Sequence, residues 1–265
     1  MLSALLSGEY DLNKTAVVMS QTGGGCRASN YIALLRKALK ELGMEQIPVV
    51  SFNFNKNLEQ NPGMKFTPRF AVEAIMAVLF MRLTNATRPY EKEPGSVQRL
   101  YEKWNEIAKQ NVTDCSIRRF RANVKKIVEE FDNIPINEDV VKPKVGVVGE
   151  ILVKFHPNAN NDIVGIIEQE GGEAVVPDLL DFVMYSIKNA DFNYEKMAGK
   201  MSAHMLGRAA MKIVYTFRKP VEKALKESKR FHPPLHIDEI AKKAENVTSL
   251  GTQCGEGWLL VGEMQ

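Results

Sequence analysis

Short apolar runs bounded by glycine, proline or asparagine alternate with longer stretches in which apolar residues recur every three or four positions. The first regime predicts buried strands, the second amphipathic helices. Thr15-Ala16-Val17-Val18-Met19 reads as a strand over 15–20. Tyr31, Ile32, Leu34, Leu35, Ala38, Leu39 and Leu42 keep close to a 3.6-residue period and predict a helix over 28–42, ended by Gly43. Ile47-Pro48-Val49-Val50-Ser51-Phe52 is a second strand, with its proline near the start where a missing N–H is tolerated. A strand, helix and strand of these lengths predict a right-handed βαβ unit with parallel strands.

The stretch from Asn53 to Pro68 is rich in Asn, Gly and Pro and reads as a loop. An apolar helix follows over 70–87, then two amphipathic helices over 96–110 and 115–131. The run Val145-Gly146-Val147-Val148-Gly149-Glu150-Ile151-Leu152-Val153 opens a second α/β block, with Glu150 in or near the end of its first strand. His156 to Asp162 reads as a loop and helix cap, 163–170 as helix, Gly171-Gly172 as its stop and 174–176 as the next strand. Asp178 caps a helix running to Lys188, and 194–230 is helical up to the break at Phe231-His232-Pro233-Pro234. A short helix covers 237–244, and Gly251 to Gly257 leads into an apolar helix over 258–264.

The fold class expected is α/β, with two Rossmann-like parallel-sheet units carrying large helical insertions. The domains expected are 1–141 and 142–265, each an α/β unit followed by helices. A domain that ends one turn into a helix after such a glycine-rich turn looks unfinished, so the chain reads as a piece of a longer protein, truncated at its C-terminus.

Composition narrows the function classes. Of 265 residues, 45% are apolar and 25% charged, as in ordinary globular chains, and 35 basic against 32 acidic residues leave a net charge of +3. That excess is too small to point to nucleic acid. No apolar run approaches the roughly 18 residues of a membrane span, and Met1 to Leu6 lacks the basic leader of a signal peptide. The three cysteines, Cys26, Cys115 and Cys254, are far apart and cannot all pair, which favours a reducing, cytoplasmic setting.

Chemistry concentrates at Gln21-Thr22-Gly23-Gly24-Gly25-Cys26-Arg27-Ala28-Ser29-Asn30-Tyr31, where a strand, a glycine turn and a helix start meet at a cysteine. A helix N-terminus and a neighbouring arginine favour the thiolate, the form required of a nucleophile, a redox thiol or an iron–sulfur ligand. The turn has neither the P-loop spacing nor G-x-G-x-x-G, because no lysine follows and Ala28 fills the last glycine position. Gly24 and Gly25 either meet a tight βα turn's need for positive φ or let the backbone approach a ligand. A cysteine nucleophile needs a base, and His156, His204, His232 and His236 form no cysteine-hydrolase pattern; C-x-x-C is absent.

Cys115, after Asn111-Val112-Thr113-Asp114, reads as a small residue near a helix start, and Cys254 repeats the theme of a glycine-flanked turn before a helix. A second constellation joins Gly149-Glu150 to Asn158, Asn160 and Asn161. Beyond the carboxyl end of a strand such residues bind a polar ligand, or serve turns and caps. His232 and His236 sit beside prolines with no third metal ligand, and the Lys- and Glu-rich run from Glu222 to Arg230 reads as a solvated helix face.

Four segments together carry a resemblance: residues 21–31, Val148-Gly149-Glu150-Ile151-Leu152-Val153-Lys154-Phe155, Glu170-Gly171-Gly172-Glu173-Ala174-Val175-Val176-Pro177 and Gly255-Glu256-Gly257-Trp258. In this order and spacing, over nearly the whole chain, they resemble the large acyl-CoA dehydratase activase-related proteins, activators of 2-hydroxyglutaryl-CoA dehydratase. The region resembled is the dehydratase-type part, since the glycine-rich phosphate loops of the ATPase part are missing here.

The resemblance implies a cysteine-ligated iron–sulfur cluster, such as 4Fe-4S, held between Rossmann-like domains in the full-length protein. It implies a partner activase, or activase domain, that binds ATP and delivers a low-potential electron, and an acyl-CoA-type substrate. Cys26 matches the family's glycine–cysteine motif and is carried over as a cluster ligand; no such role is carried onto Cys254. The other family cysteines are missing from this chain, and such clusters take three or four thiolates, so the chain alone is expected to be inactive. Two other readings stay open: a non-enzymatic scaffold for an activase, and a thiol enzyme using Cys26.

Overall fold

The computed structural model describes residues 1–21, 25–52, 68–114 and 116–265. It divides into two compact units, Met1–Phe66 and Thr67–Gln265.

In the first unit a short helix, α1 (Leu2–Leu6), precedes strand β1 (Val17–Ser20). A 3-10 turn over Arg27–Asn30 runs into helix α2 (Tyr31–Glu41), and strand β2 (Val49–Phe52) follows. β1 and β2 pair in parallel, Val17 against Val49 and Val18 against Val50, as the pattern predicts. Buried Ile32 and Leu39 of α2 lie against Val17, Val49, Ile47 and Leu5, forming a small core. Gly43, at φ +68°, turns the chain out of α2 in a left-handed conformation that costs glycine little. The expected loop over 53–68 falls almost wholly outside the described residues.

The second unit is mostly helical. Helix α3 (Pro68–Thr87) buries Val72, Ile75, Met76, Val78, Leu79, Phe80 and Leu83, a broad face that leaves Glu73 and Ala77 exposed on the other side. So broad an apolar face turns inward to a core, and α3 packs on helix α4 (Ser96–Asp114), helix α5 (Ile117–Asp132) and elements further along. α5 buries a single stripe, Phe120, Val124, Ile127, Val128 and Phe131, and Ser116 caps it by accepting from the Arg119 N–H at 3.3 Å.

Strand β3 (Lys144–Gly146), helix α6 (Ile151–Phe155), helix α7 (Ile163–Gln169) and strand β4 (Glu173–Val175) form the second α/β block. β3 and β4 are parallel, with Val145 opposite Ala174. Helices α8 (Leu179–Lys196), α9 (Met201–Glu227), α10 (Ile237–Glu245) and α11 (Trp258–Met264) complete the unit. Its main core joins α3, α4 and α5 to Leu180, Val221, Leu225 and Phe231. A second core gathers Met184, Tyr185, Val214, Ile237, Ile240, Trp258 and Leu259. There α11 crosses α10 so closely that a Cβ on Gly262 would lie 2.4 Å from the Ile240 carbonyl oxygen.

The protein is thus a mixed α/β chain with two parallel β pairs, and among the described residues each sheet has two strands. Several expectations change. Ile151 to Val153 is helix, not a continuation of the strand, because Glu150 caps α6. The two compact units divide at 66/67. The reason is packing: α3 touches β4 and α9, and Arg82, Arg88 and Tyr90 bond Asp178, Glu168 and Glu173. α8 extends eight residues past Lys188, and α9 begins at Met201, so the helical stretch expected from 194 is two helices. Among the described residues no helix is long and apolar enough to cross a membrane.

Candidate functional site

Each parallel β pair presents one of the expected sites just beyond its first strand. In the first unit, Gln21 follows β1 directly. Its Nε2 donates to the Ser29 carbonyl at 2.8 Å, and its Oε1 accepts from the buried Ser51 hydroxyl at 2.9 Å. One side chain thereby ties the end of β1 to β2 and to the turn that starts α2. Gly24 lies outside the described residues; Gly25 is exposed.

Cys26 has extended backbone, φ −103° and ψ 144°, and stands immediately before the 3-10 turn, its carbonyl accepting from the Ser29 N–H at 3.1 Å. Its thiol is free and half-buried. Among the described residues no hydrogen-bonding base accompanies it.

In the second unit the site is built differently. Glu150, four residues past β3, is the N-cap of α6; its Oε2 accepts from the Leu152 and Val153 N–H groups at 3.1 and 3.3 Å. One turn later Lys154 is 4% exposed and its Nζ lies 3.2 Å from Glu263 of α11. Glu256, also buried, precedes α11. Burial pushes the carboxyls of both Glu256 and Glu263 above the usual range, against the opposing pull of Lys154.

The same field reaches a second set of buried charges. Asp178 accepts from Arg82 at 2.9 Å and from Arg218 at 3.0 Å, and Asp181 accepts from Arg218 at 3.3 Å. Burial, with the neighbouring Asp178 charge, raises Asp181 to about 7 despite Arg218. Six carboxylates (Glu150, Asp178, Asp181, Glu222, Glu256, Glu263) therefore share three cations (Arg82, Lys154, Arg218) within one interacting network. Burial first, and then the crowding of carboxylates, raises Asp181, Glu256 and Glu263 above the ordinary carboxylate range. One oxygen of each of Glu150, Glu256 and Glu263 is buried with no hydrogen-bond partner among the described residues.

The remaining candidates do not join it. Asn158 is exposed and, among the described residues, makes no side-chain hydrogen bond. Asn160 instead holds the turn, donating to the Val153 carbonyl at 2.8 Å and accepting from the Ile163 N–H at 3.3 Å. Asn161 and Asp162 take left-handed backbone, the conformation Asn and Asp tolerate best after glycine. Asp178 occupies the N-cap of α8, but its oxygens go to the two arginines rather than to the helix. His204 lies 2.9 Å from Asp191, and His236 stacks on Tyr215. Cys254 is free and exposed, and Cys115 lies outside the described residues. Among the described residues no group of three His, Cys, Asp or Glu side chains converges to hold a metal.

Glu256 and Trp258 do converge with the network's surroundings. Trp258 is fully buried, packs on Tyr185 at 4.9 Å between ring centroids, and donates to Asn189 at 2.9 Å. Gly257 before it has φ +41°, and a Cβ there would sit 2.0 Å from the Thr252 carbonyl oxygen, so only glycine fits the turn.

Sequence reasoning passed over Lys154, Asp181, Arg218 and Glu263. Two of them carried a usable signal: a lone charge inside an apolar run, as in Ile151-Leu152-Val153-Lys154-Phe155 and Trp258-Leu259-Leu260-Val261-Gly262-Glu263, marks a buried ion that needs a partner. No family model, curated protein or solved structure matches the chain.

Proposed function

We propose that this chain is a segment of a 2-hydroxyacyl-CoA dehydratase-like iron–sulfur protein, supplied with electrons by an ATP-dependent activase in the cytoplasm. The observation that carries the reading is a convergence. Segments 148–155, 170–177 and 255–258, far apart in sequence and singled out for their resemblance to that family, supply or adjoin a single buried network through Glu150, Lys154, Asp178 and Glu256. The two parallel β pairs are consistent with Rossmann-like units, and segment 21–31 occupies the corresponding turn of the first.

Cys26 fits the part of a thiolate ligand, being free and half-buried, with no hydrogen-bond partner for its thiol among the described residues. It does not complete a cluster site, which takes three or four such ligands. In this reading the others come from polypeptide outside the described residues, and the chain by itself turns over no acyl-CoA. Electron paramagnetic resonance of the native protein, prepared anaerobically and mixed with its activase and ATP, tests the proposal. A cluster signal should develop in the wild type and fail in Cys26→Ala. A signal of equal intensity in the variant removes Cys26 from the ligand set, and no signal in the wild type removes the reading as a whole.

A further inference from the structure

Away from the buried network, α8, α9 and α10 enclose a groove of about 320 Å³. Its long wall is one face of α9: Arg208, Lys212, Tyr215, Thr216 and Lys219 recur at spacings of three and four. The opposite wall brings Lys188 of α8, which is held between Asp191 at 3.5 Å and Asp238 of α10 at 2.7 Å. Lys188 and these two carboxylates thus satisfy one another.

The three α9 cations have no such arrangement. Arg208, Lys212 and Lys219 are exposed, and among the described residues none makes an ion pair or a side-chain hydrogen bond. Two other cations of the helix are matched: Lys223 pairs with Glu227, and Arg218 with Asp178 and Asp181. Three unmatched cations turned into one concavity repel each other and create a positive potential that a multivalent anion relieves. A guanidinium fork and two ammonium groups suit phosphate oxygens. Tyr215 adds a fixed flat surface, its hydroxyl accepting from the Ile237 N–H at 3.2 Å and its ring stacked on His236.

We propose that this groove binds the phosphates of a small phosphorylated ligand carrying a diphosphate, a function separate from the Cys26 region. The volume suits a diphosphate with an attached small group rather than a polymer.

The test is calorimetric titration of the intact chain with pyrophosphate and with ADP, at low and moderate salt. Arg208→Gln, Lys212→Gln and Lys219→Gln should each weaken both ligands roughly three- to tenfold, and the triple variant should abolish saturable binding. Lys226→Gln, an exposed cation of the same helix outside the groove, should leave binding unchanged. An unaltered circular dichroism spectrum and melting temperature in each variant separate lost binding from lost folding. Absence of saturable binding to either ligand in the wild type would overturn the proposal. So would a Lys226→Gln loss equal to that of the groove variants, since binding would then follow overall charge alone.

Discussion

The two parallel β pairs use one backbone plan for opposite ends. In both, a short strand runs into a turn, a helical segment follows and a second strand returns beside the first. After β1 the turn carries Cys26, a free thiol with no hydrogen-bonded neighbour among the described residues. After β3 it carries Glu150, bound to the helix it caps and adjoining a network of buried charges. The first turn leaves a reactive group uncommitted; the second commits its carboxylate to the fold. A motif at the carboxyl end of a strand is therefore not by itself a site, and what distinguishes the two is how many partners the polar group already has.

Substitutions sharpen that contrast, the largest effects falling in the second unit. Arg218→Met strands Asp181 and leaves Asp178 with Arg82 alone, and should cost about 3–5 kcal/mol in urea denaturation. Adding Asp181→Asn should recover part of the loss. Lys154→Met leaves Glu263 and Glu256 unbalanced and should cost about 3 kcal/mol, most of it recovered in the Lys154→Met, Glu263→Gln double variant. Equal stability of single and double variants would show that the two charges do not act as a pair.

The network also predicts a pH dependence. Asp181 titrates near 7 in the folded chain, well above the ordinary aspartate range, so the folded state holds a proton that the unfolded state has released. Stability from this group is complete below the ordinary aspartate range and is lost as the pH rises towards about 7. The loss is on the order of a few kcal/mol. Asp181→Asn should flatten the slope of unfolding free energy between about pH 4 and pH 7; an unchanged slope would place the proton elsewhere in the network.

Much of this plan is legible in the sequence, for a physical reason. Val17-Val18-Met19 and Val49-Val50 are apolar runs too short for helix, and the 3.6-residue period of α2 and the closing Gly43 lie between them. The second block is harder to read, because Ile151-Leu152-Val153 has the composition of a strand and the capping hydrogen bonds of Glu150 decide for helix. The unit boundary is hidden as well. Period alone shows that α3 has a broad apolar face, but not that its partners are β4 and α9. The buried network is the least legible part, since Arg218 and its neighbour Glu222 sit in a lysine- and glutamate-rich helix most of whose charges face water, and only packing distinguishes them.

The smallest stability effect belongs to the first turn. Cys26→Ala removes a half-buried thiol that has no hydrogen bond among the described residues, and should change the unfolding free energy by no more than about 0.5 kcal/mol. That makes it a clean probe of function. The iron and acid-labile sulfide content of the native protein, prepared anaerobically as wild type and as Cys26→Ala, tests the assignment of this turn most directly. The variant should fold as the wild type does and lose its cluster iron and sulfide together with their visible absorbance. Iron and sulfide retained at the wild-type level would show that Cys26 is a structural residue and that the contrast between the two turns is not one of function.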